Sequence, residues 1–461
     1  MNIAIIGTGY VGLTLSALTA RVGHKTHCID VVPEKIETIK TGKSYFYELG
    51  LDNLVKKGID SKNLIPTLDY KEGLKDADVI FLSVGTPSGE DGGWDLSYIF
   101  DAVEKAAKYI KDGAIFVQRS TVPVGTGERA ISIIKTSNPD VNFTYLSCPE
   151  YLREGAAVLD SIIQDRIVIG GGDHDSRQKV FGIFKDIEDM AEEIIGETPE
   201  INKYANNNMV SNDHSRHTFD EKCMEMGLES AELVKVCSNT LLATKITFAN
   251  NVARVCDRVG ADISEVMDGV GMDRRISRSF LYAGLGYGGG CFPKDVKGLI
   301  RSTEDLGVDA SLFNAVNKTN MEQVDYVIDQ IKLMGVEAGS KVGVLGLSFK
   351  PGTSDMRVSP AGRLCKALTK AGYIVKGTDP QAVEEARLEF PEEENLKYVE
   401  TVDEVFKDSN IVILATDWPE YKEIDFSSYI PSMAENNFYD ARNCLNKEEM
   451  SKLFNFDNLG A

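Results

Sequence analysis

The sequence predicts an α/β protein in which two βα domains are joined by a long central helix. Three observations point there. At the N-terminus a strand, a glycine turn, a helix, a second strand and an acid follow in order; residues 230–259 are too apolar around their circumference for a surface helix; and the last third repeats the opening pattern in weaker form. A chain of 461 residues is long enough for about three domains of ~150 residues. The pattern divides it into 1–198, 199–330 and 331–461.

Residues 2–6 form a short apolar strand that enters Gly7-Thr8-Gly9-Tyr10-Val11-Gly12, and a helical pattern runs to about residue 22. After Gly23 a strand at 27–29 ends in Asp30. The first glycine permits a tight turn, the second lets backbone approach a pyrophosphate, and the third allows close helix packing. Pyrophosphate then sits against helix N–H groups, and Asp30 accepts hydrogen bonds from an adenosine ribose. Three glycines alone also suit an empty packing turn, but with the flanking elements in order they predict a Rossmann-like dinucleotide site. Asp30 favours NAD, because its charge repels the extra phosphate of NADP.

The βα pattern continues. A strand at 77–84 leads into Gly85-Thr86-Pro87, one at 114–118 into Ser120-Thr121-Val122-Pro123-Val124-Gly125-Thr126, and one at 145–147 into Cys148-Pro149-Glu150-Tyr151-Leu152-Arg153-Glu154-Gly155. Loops at strand C-termini are where open α/β sheets hold ligands. Glu150 and Glu154 are four apart, so a helical turn puts both carboxylates on one face, to hold a water or raise one pKa by repulsion. A solvated acidic first turn fits the same spacing. A strand at 166–170 and a helix at 176–190 close this domain. Residues 196–228 read as a polar, irregular insertion containing Asn206, Asn207 and Asn208. There His214 and His217, with Asp213 or Asp220, fall short of a metal-binding pattern, so no metal is expected.

In the helix at 230–259, Lys235 and Asn239 interrupt the apolar surface one turn apart. A buried lysine needs an anionic or hydrogen-bonding partner, which makes the pair a ligand-facing patch, although a lysine can also snorkel to solvent. Farther on, Gly288, Gly289 and Gly290 leave space around the thiol of Cys291, and Lys294 and Asp295 follow within four positions. A thiol in open, charge-rich backbone suits covalent chemistry better than core packing. The glycine-rich run 284–290 reads as a close-fitting substrate loop that exposes backbone donors. In the last third, 341–346 is a strand entering a glycine turn, 373–376 leads into Asp379, and 410–416 resembles 77–86. The full glycine motif is missing there, which argues against a second dinucleotide site. Lys350, Arg357 and Arg442 can neutralise phosphate across an interdomain cleft or lie on the surface.

A formal net charge of -21 argues against a nucleic-acid or anionic-membrane surface. No uninterrupted apolar run reaches the ~18 residues that suggest a membrane span, and no basic leader precedes the first strand. The eight cysteines show no paired spacing and read as reduced thiols, so a cytoplasmic protein is expected.

Together these motifs resemble the UDP-glucose/GDP-mannose dehydrogenase family over nearly the whole chain. They are 7–12, 120–126, 148–155, 231–239, 286–295 and 347–357, in fixed order. The resemblance implies a nucleotide-sugar substrate, an NAD domain and a sugar-nucleotide domain, with a helical dimerisation region around the central helix. It implies Cys291 as nucleophile with Lys235, Asn239 and Asp295 around it, and Thr121 and Glu154 in water positioning or proton transfer, Glu150 being the motif's other carboxylate. For NAD it implies the turn 7–12 together with Asp30, Lys35, Thr86, Ser120, Thr121, Glu154, Lys294 and Arg357. For the sugar nucleotide it implies Tyr151, Leu152, Lys235, Asn239, Tyr282, Gly286, Tyr287, Gly288, Phe349, Lys350 and Arg442. Arg275 is implied to reach the partner's site in a homodimer.

The Tyr-Leu-Arg-Glu-Gly ending of the 148–155 motif resembles members acting on UDP-glucose, with GDP-mannose and UDP-N-acetylhexosamines as alternatives, and a non-catalytic binding protein as another. The chain departs from the family pattern at Gly290, where a serine commonly precedes the nucleophile, and at Arg119, where a lysine is usual.

Overall fold

The computed structural model describes residues 1–89, 92–198, 201 and 217–460. His214, Asp213 and Asn206 to Asn208 lie outside the described residues. The chain forms two compact units, Met1–Cys237 and Ser238–Ala461, and the central helix Leu228–Val259 is continuous through the boundary.

Among the described residues the first unit carries an eight-stranded sheet in the order β3-β2-β1-β4-β5-β6-β7-β8. The strands are β1 (Asn2–Ile6), β2 (Lys25–Ile29), β3 (Leu64–Thr67), β4 (Val79–Leu82), β5 (Ala114–Gln118), β6 (Phe143–Ser147), β7 (Ile167–Gly171) and β8 (Cys223–Met226). All neighbours run parallel except β6 and β7. Helices cover both faces, so the inner strands are apolar on both sides. Ile3 and Ile5 enter one core with Leu13 and Leu18 of α1 (Tyr10–Arg21), whereas Ala4 and Ile6 enter the other beside Ile99 and Val103. The strand order reverses between β1 and β4, and such a switch point opens a crevice at the strand C-termini.

One expectation is corrected at β8. The segment 196–228 is not wholly irregular, because Cys223–Met226 pairs in register with β7 and extends the sheet. An edge strand is half solvated, and Cys-Met-Glu-Met gives none of the apolar run that marks an inner strand.

In the second unit, the described residues form a six-stranded parallel sheet ordered β11-β10-β9-β12-β13-β14. Its strands are β9 (Lys341–Leu345), β10 (Ile374–Thr378), β11 (Leu396–Tyr398), β12 (Ile411–Leu414), β13 (Asn437–Asp440) and β14 (Asn455–Asn458). Two helices stand beside it in sequence, Phe292–Asp305 and Ser311–Leu333. The central helix buries Ala243, Ala249 and Ala253 on one face, while Leu241, Phe248 and Val255 stay exposed at intervals of seven. Among the described residues no helix is long and apolar enough to cross a membrane.

Candidate active site

The glycine turn follows β1 directly. Gly7 has φ +94°, and a Cβ there would lie 2.5 Å from the Ser83 carbonyl oxygen, while one on Gly12 would overlap the Gly7 carbonyl. These two glycines are required by packing. A Cβ on Gly9 would meet nothing within 4 Å, and Gly9 caps α1 without a side-chain hydrogen bond. Open space at a helix N-terminus fits the pyrophosphate of a dinucleotide. Asp30 is buried, taking Thr8 N–H (3.0 Å) and Thr8 Oγ1 (2.6 Å) on one oxygen and the N–H groups of Val31 and Val32 on the other. It therefore braces the turn, and Lys35 Nζ lies 4.0 Å from it. Thr86 Oγ1 donates to the Thr121 carbonyl (2.9 Å) and Ser120 Oγ to that of Val84 (2.7 Å), so the loops after β4 and β5 are tied together.

The loop after β6 departs from expectation. Glu150 and Glu154 do not share a helical turn. Glu150 accepts the Leu152 N–H (2.6 Å), Gly155 turns left-handed at φ +79°, and the helix Ala157–Ile162 begins only beyond it. Nor is Glu150 raised by repulsion. Burial pushes its carboxyl up, but the Lys235 ammonium 3.0 Å away, the Leu152 N–H and nearby Arg119 outweigh this and hold it below its ordinary value. Lys235 is 3% exposed. Its charge is paired inside the protein and does not snorkel to solvent. Its ammonium also lies 5.4 Å from the centre of the Tyr151 ring, which Arg166 covers at 3.8 Å.

Arg119 is buried as well. Its guanidinium donates to the carbonyls of Cys148 and Pro149 (both 3.2 Å) and stacks on Phe184 at 5.0 Å, holding the backbone that leads into Glu150.

In the second unit Cys291 caps the helix Phe292–Asp305, with Pro293 in the first turn. A thiolate formed there faces the positive end of the helix dipole. The Cys291 carbonyl accepts the Asp295 N–H (2.9 Å), and the Asp295 carboxylate, 1% exposed, takes Asn239 Nδ2 at 2.6 Å and pairs with Lys294. Asn239 and Asp295 thus meet as one buried polar pair beneath the thiol's helix turn.

The glycines before Cys291 do not leave the open space anticipated for them. A Cβ on Gly288 would press on Pro360 and Phe349, one on Gly289 on the Phe349 ring, and one on Gly290 would come within 2.5 Å of Arg357 Nη1. The space at 290 is filled by the Arg357 guanidinium, which Asp355 holds at 2.7 and 2.9 Å. Nor are the backbone groups of 284–288 all free for a ligand. Asn250 takes the Gly284 N–H (2.7 Å), Asn320 binds both N–H and carbonyl of Tyr287 (2.8 and 3.0 Å), and Gln323 takes the Gly284 carbonyl. Gly286 has φ +106°, and a Cβ on it would strike Asn320. These amides escape a motif search, but they interrupt an apolar helix face just as Lys235 does.

Arg442 is paired with Asp417 (2.8 Å), so Arg442 and Arg357 each carry a counter-ion and present less net charge to phosphate than their count suggests. Lys350 lies 5.5 Å from the Phe349 ring centre. Tyr282 is exposed beneath the Arg278 guanidinium at 4.6 Å, and Arg275 is exposed and bound to Asp273. Among the described residues no group of three or more His, Cys, Asp or Glu side chains could hold a metal.

Residues 1–188 match the NAD binding domain of the UDP-glucose/GDP-mannose dehydrogenase family, 229–322 its central domain and 343–447 its UDP binding domain. The chain belongs to this family. It is 36% identical to the UDP-glucose 6-dehydrogenase TuaD of Bacillus subtilis (strain 168), over 97% of this chain and 90% of that protein. It is also 36% identical to the UDP-glucose 6-dehydrogenase of Rhizobium meliloti (strain 1021), over 98% and 97%. Among solved structures, a UDP-glucose dehydrogenase from the hyperthermophilic archaeon Pyrobaculum islandicum superposes with a TM-score of 0.85 at 31% identity, covering 99% of this chain and 97% of that one. The family's NAD-binding architecture and its nucleotide-sugar dehydrogenase activity therefore frame the site.

Proposed function

We propose that this chain is an NAD-dependent UDP-glucose 6-dehydrogenase, oxidising C6 of UDP-glucose by four electrons to the carboxylate of UDP-glucuronate. The observation that carries the reading is the buried Asn239–Asp295 pair at the helix turn capped by Cys291. It gives a thiol a fixed polar setting at a helix N-terminus, which a binding protein has no need to build. The names of the 36% identical relatives support UDP-glucose among the family's substrates.

Bound NAD supplies the hydride acceptor, twice per sugar. The chain's own residues handle the carbon between those events. The Cys291 sulfur adds to the C6 aldehyde, forming a C–S bond while the carbonyl oxygen takes a proton, and the resulting thiohemiacetal can lose hydride to become a thioester. Water then adds to the thioester carbon, the C–S bond breaks and the thiol is restored. Alcohol and water thus become carboxylate, with two NADH and three protons released. Asn239, its amide plane set by Asp295, and the ammonium of Lys235 stabilise developing charge on oxygen. Glu150, kept ionised by Lys235, serves with Glu154 and Thr121 in proton transfer and water placement. The enzyme works in the cytoplasm, in keeping with its eight free cysteines. It works as a homodimer that buries the exposed stripe of the central helix, with Arg275 reaching the partner's site.

The test incubates the chain with NAD and, separately, UDP-glucose, UDP-N-acetylglucosamine, UDP-N-acetylmannosamine and GDP-mannose. Two NADH per UDP-glucose and a C6 carboxylate are expected, and preference for another sugar overturns the substrate. Cys291→Ser should cut carboxylate formation by at least about 100-fold; unchanged turnover with two NADH per sugar removes the thiol from the mechanism.

A further inference from the structure

The segment 44–50 takes no part in the chemistry above, yet within the first unit it touches both the glycine turn and the loop carrying Glu150 and Glu154. Tyr45 donates its hydroxyl to the Thr8 carbonyl (3.0 Å), and the Phe46 ring centre lies 4.2 Å from that of Tyr10. Two residues on, the buried Glu48 carboxylate accepts the Gly155 N–H on one oxygen and the Ala157 N–H on the other, each at 2.8 Å. The Gly155 N–H follows Glu154 directly, and that of Ala157 opens the helix Ala157–Ile162, whose N-cap Ala156 makes no side-chain hydrogen bond.

A serine at 156 would reach the N–H groups of Val158 and Leu159 rather than those of Gly155 and Ala157. These two are held instead by a residue 107 and 109 positions away in sequence. The segment is braced at its start, where Ser44 N–H and Oγ both reach Asp52 (2.7 and 2.6 Å). It is thus a short, anchored span from the glycine turn to the Glu154 loop.

We propose that Glu48 is a positioning residue that sets the Glu150–Glu154 loop and, through Tyr45 and Phe46, ties the order of that loop to NAD occupying the glycine turn. The proposal rests on the reading of the turn as the NAD site and of the loop as part of the reaction. NAD at the turn fixes the Thr8 backbone and the Tyr10 ring, which narrows the motion of the segment resting on them. The two-point hold of Glu48 carries that restriction to Gly155 and Ala157.

The test is backbone hydrogen exchange over 150–157 in the full chain, with and without NAD, for wild type, Glu48→Gln and Tyr45→Phe. NAD should slow exchange of this segment in wild type. An amide at 48 offers one acceptor oxygen and turns an N–H2 toward the other N–H, so Gly155 and Ala157 should exchange about tenfold faster in Glu48→Gln without NAD. The protection conferred by NAD should vanish there while NAD affinity stays within about threefold. Under turnover, Glu48→Gln should lower kcat about tenfold with the sugar KM within about threefold.

Retention of NAD-dependent protection in Glu48→Gln overturns the proposal, as does a higher KM at unchanged kcat. Should Glu48→Gln not fold, Tyr45→Phe decides: diminished protection by NAD with unchanged exchange in its absence supports the link, and undiminished protection overturns it. A wild type that binds NAD but oxidises no sugar ends the proposed reaction, while the exchange data still decide the role of Glu48. Failure of wild type to bind NAD overturns both.

Discussion

Lys235 and Glu150 are both buried, and each is tolerable only because the other is there. Removing one partner of such a pair costs about 3–5 kcal/mol, since the survivor stays buried and charged. Lys235→Met should therefore destabilise the fold by about 3 kcal/mol at pH 7, the lower end because Arg119 still acts on Glu150. The pH dependence should also change sign. In wild type the depressed carboxyl contributes stability that is present above the ordinary glutamate value of about 4.3 and is lost as pH falls through the lower folded value. Without Lys235, burial dominates and lifts the carboxyl, so the corresponding contribution is present below about pH 4.3 and disappears as pH rises. Urea unfolding of both proteins between pH 4 and 8 distinguishes them, and parallel curves would show that the pair is not what holds Glu150 ionised. Gly290 is a milder case. A serine there must displace Arg357, whose side chain is more than half exposed and can move, although the Asp355 carboxylate it binds is buried. Gly290→Ser should lower unfolding free energy by about 1–3 kcal/mol, and a loss well beyond that would mean that the guanidinium cannot move.

Secondary-structure elements were legible to the extent that their signal was local. β1, the glycine turn, α1 and Asp30 could be read together because each residue type answers a need within thirty positions. The loop after β6 differs from the expectation because Glu150 accepts the backbone N–H two residues ahead and pairs across to Lys235, neither of which appears in a four-residue spacing. Glu48, Asn250, Asn320 and Gln323 were missed for a related reason: their partners lie at least thirty positions away and are backbone atoms, which leave no mark in residue type. The central helix was legible as an element, but its faces were not separable. Its alanines pack inward, whereas Leu241, Phe248 and Val255 form an exposed stripe with the period of a helix seam. In the proposed dimer that stripe is covered. Leu241→Glu with Phe248→Glu should shift the sedimenting species from dimer to monomer at micromolar concentration, and a dimer of undiminished affinity would place the interface elsewhere.

At the scale of the whole molecule, the degraded repeat read in the last third extends to individual hydrogen bonds. Gly346 follows β9 at φ +89° with Thr416 pressed against it, as Gly7 follows β1 at φ +94° with Ser83 against it. Asp379 accepts the N–H groups of Leu347 and Ser348 (2.7 and 2.9 Å), as Asp30 accepts that of Thr8. The difference lies in what else reaches the acid: the Trp418 indole N–H donates to Asp379 at 3.0 Å from the end of β12, occupying an acceptor that a ribose would need. With no second or third glycine after Gly346 to bare a helix N-terminus, the second sheet keeps the bracing of the motif without its open face. Calorimetric titration should accordingly find one NAD per chain. Asp30→Ala should weaken that binding at least about tenfold through lost ribose contacts and a slack turn. Asp379→Asn, which sets an amide N–H2 against donors, should lower thermal stability and leave the NAD stoichiometry and affinity as they are. Two NAD per chain, or a loss of NAD binding in Asp379→Asn, would mean that the second turn still works as a dinucleotide site despite the indole.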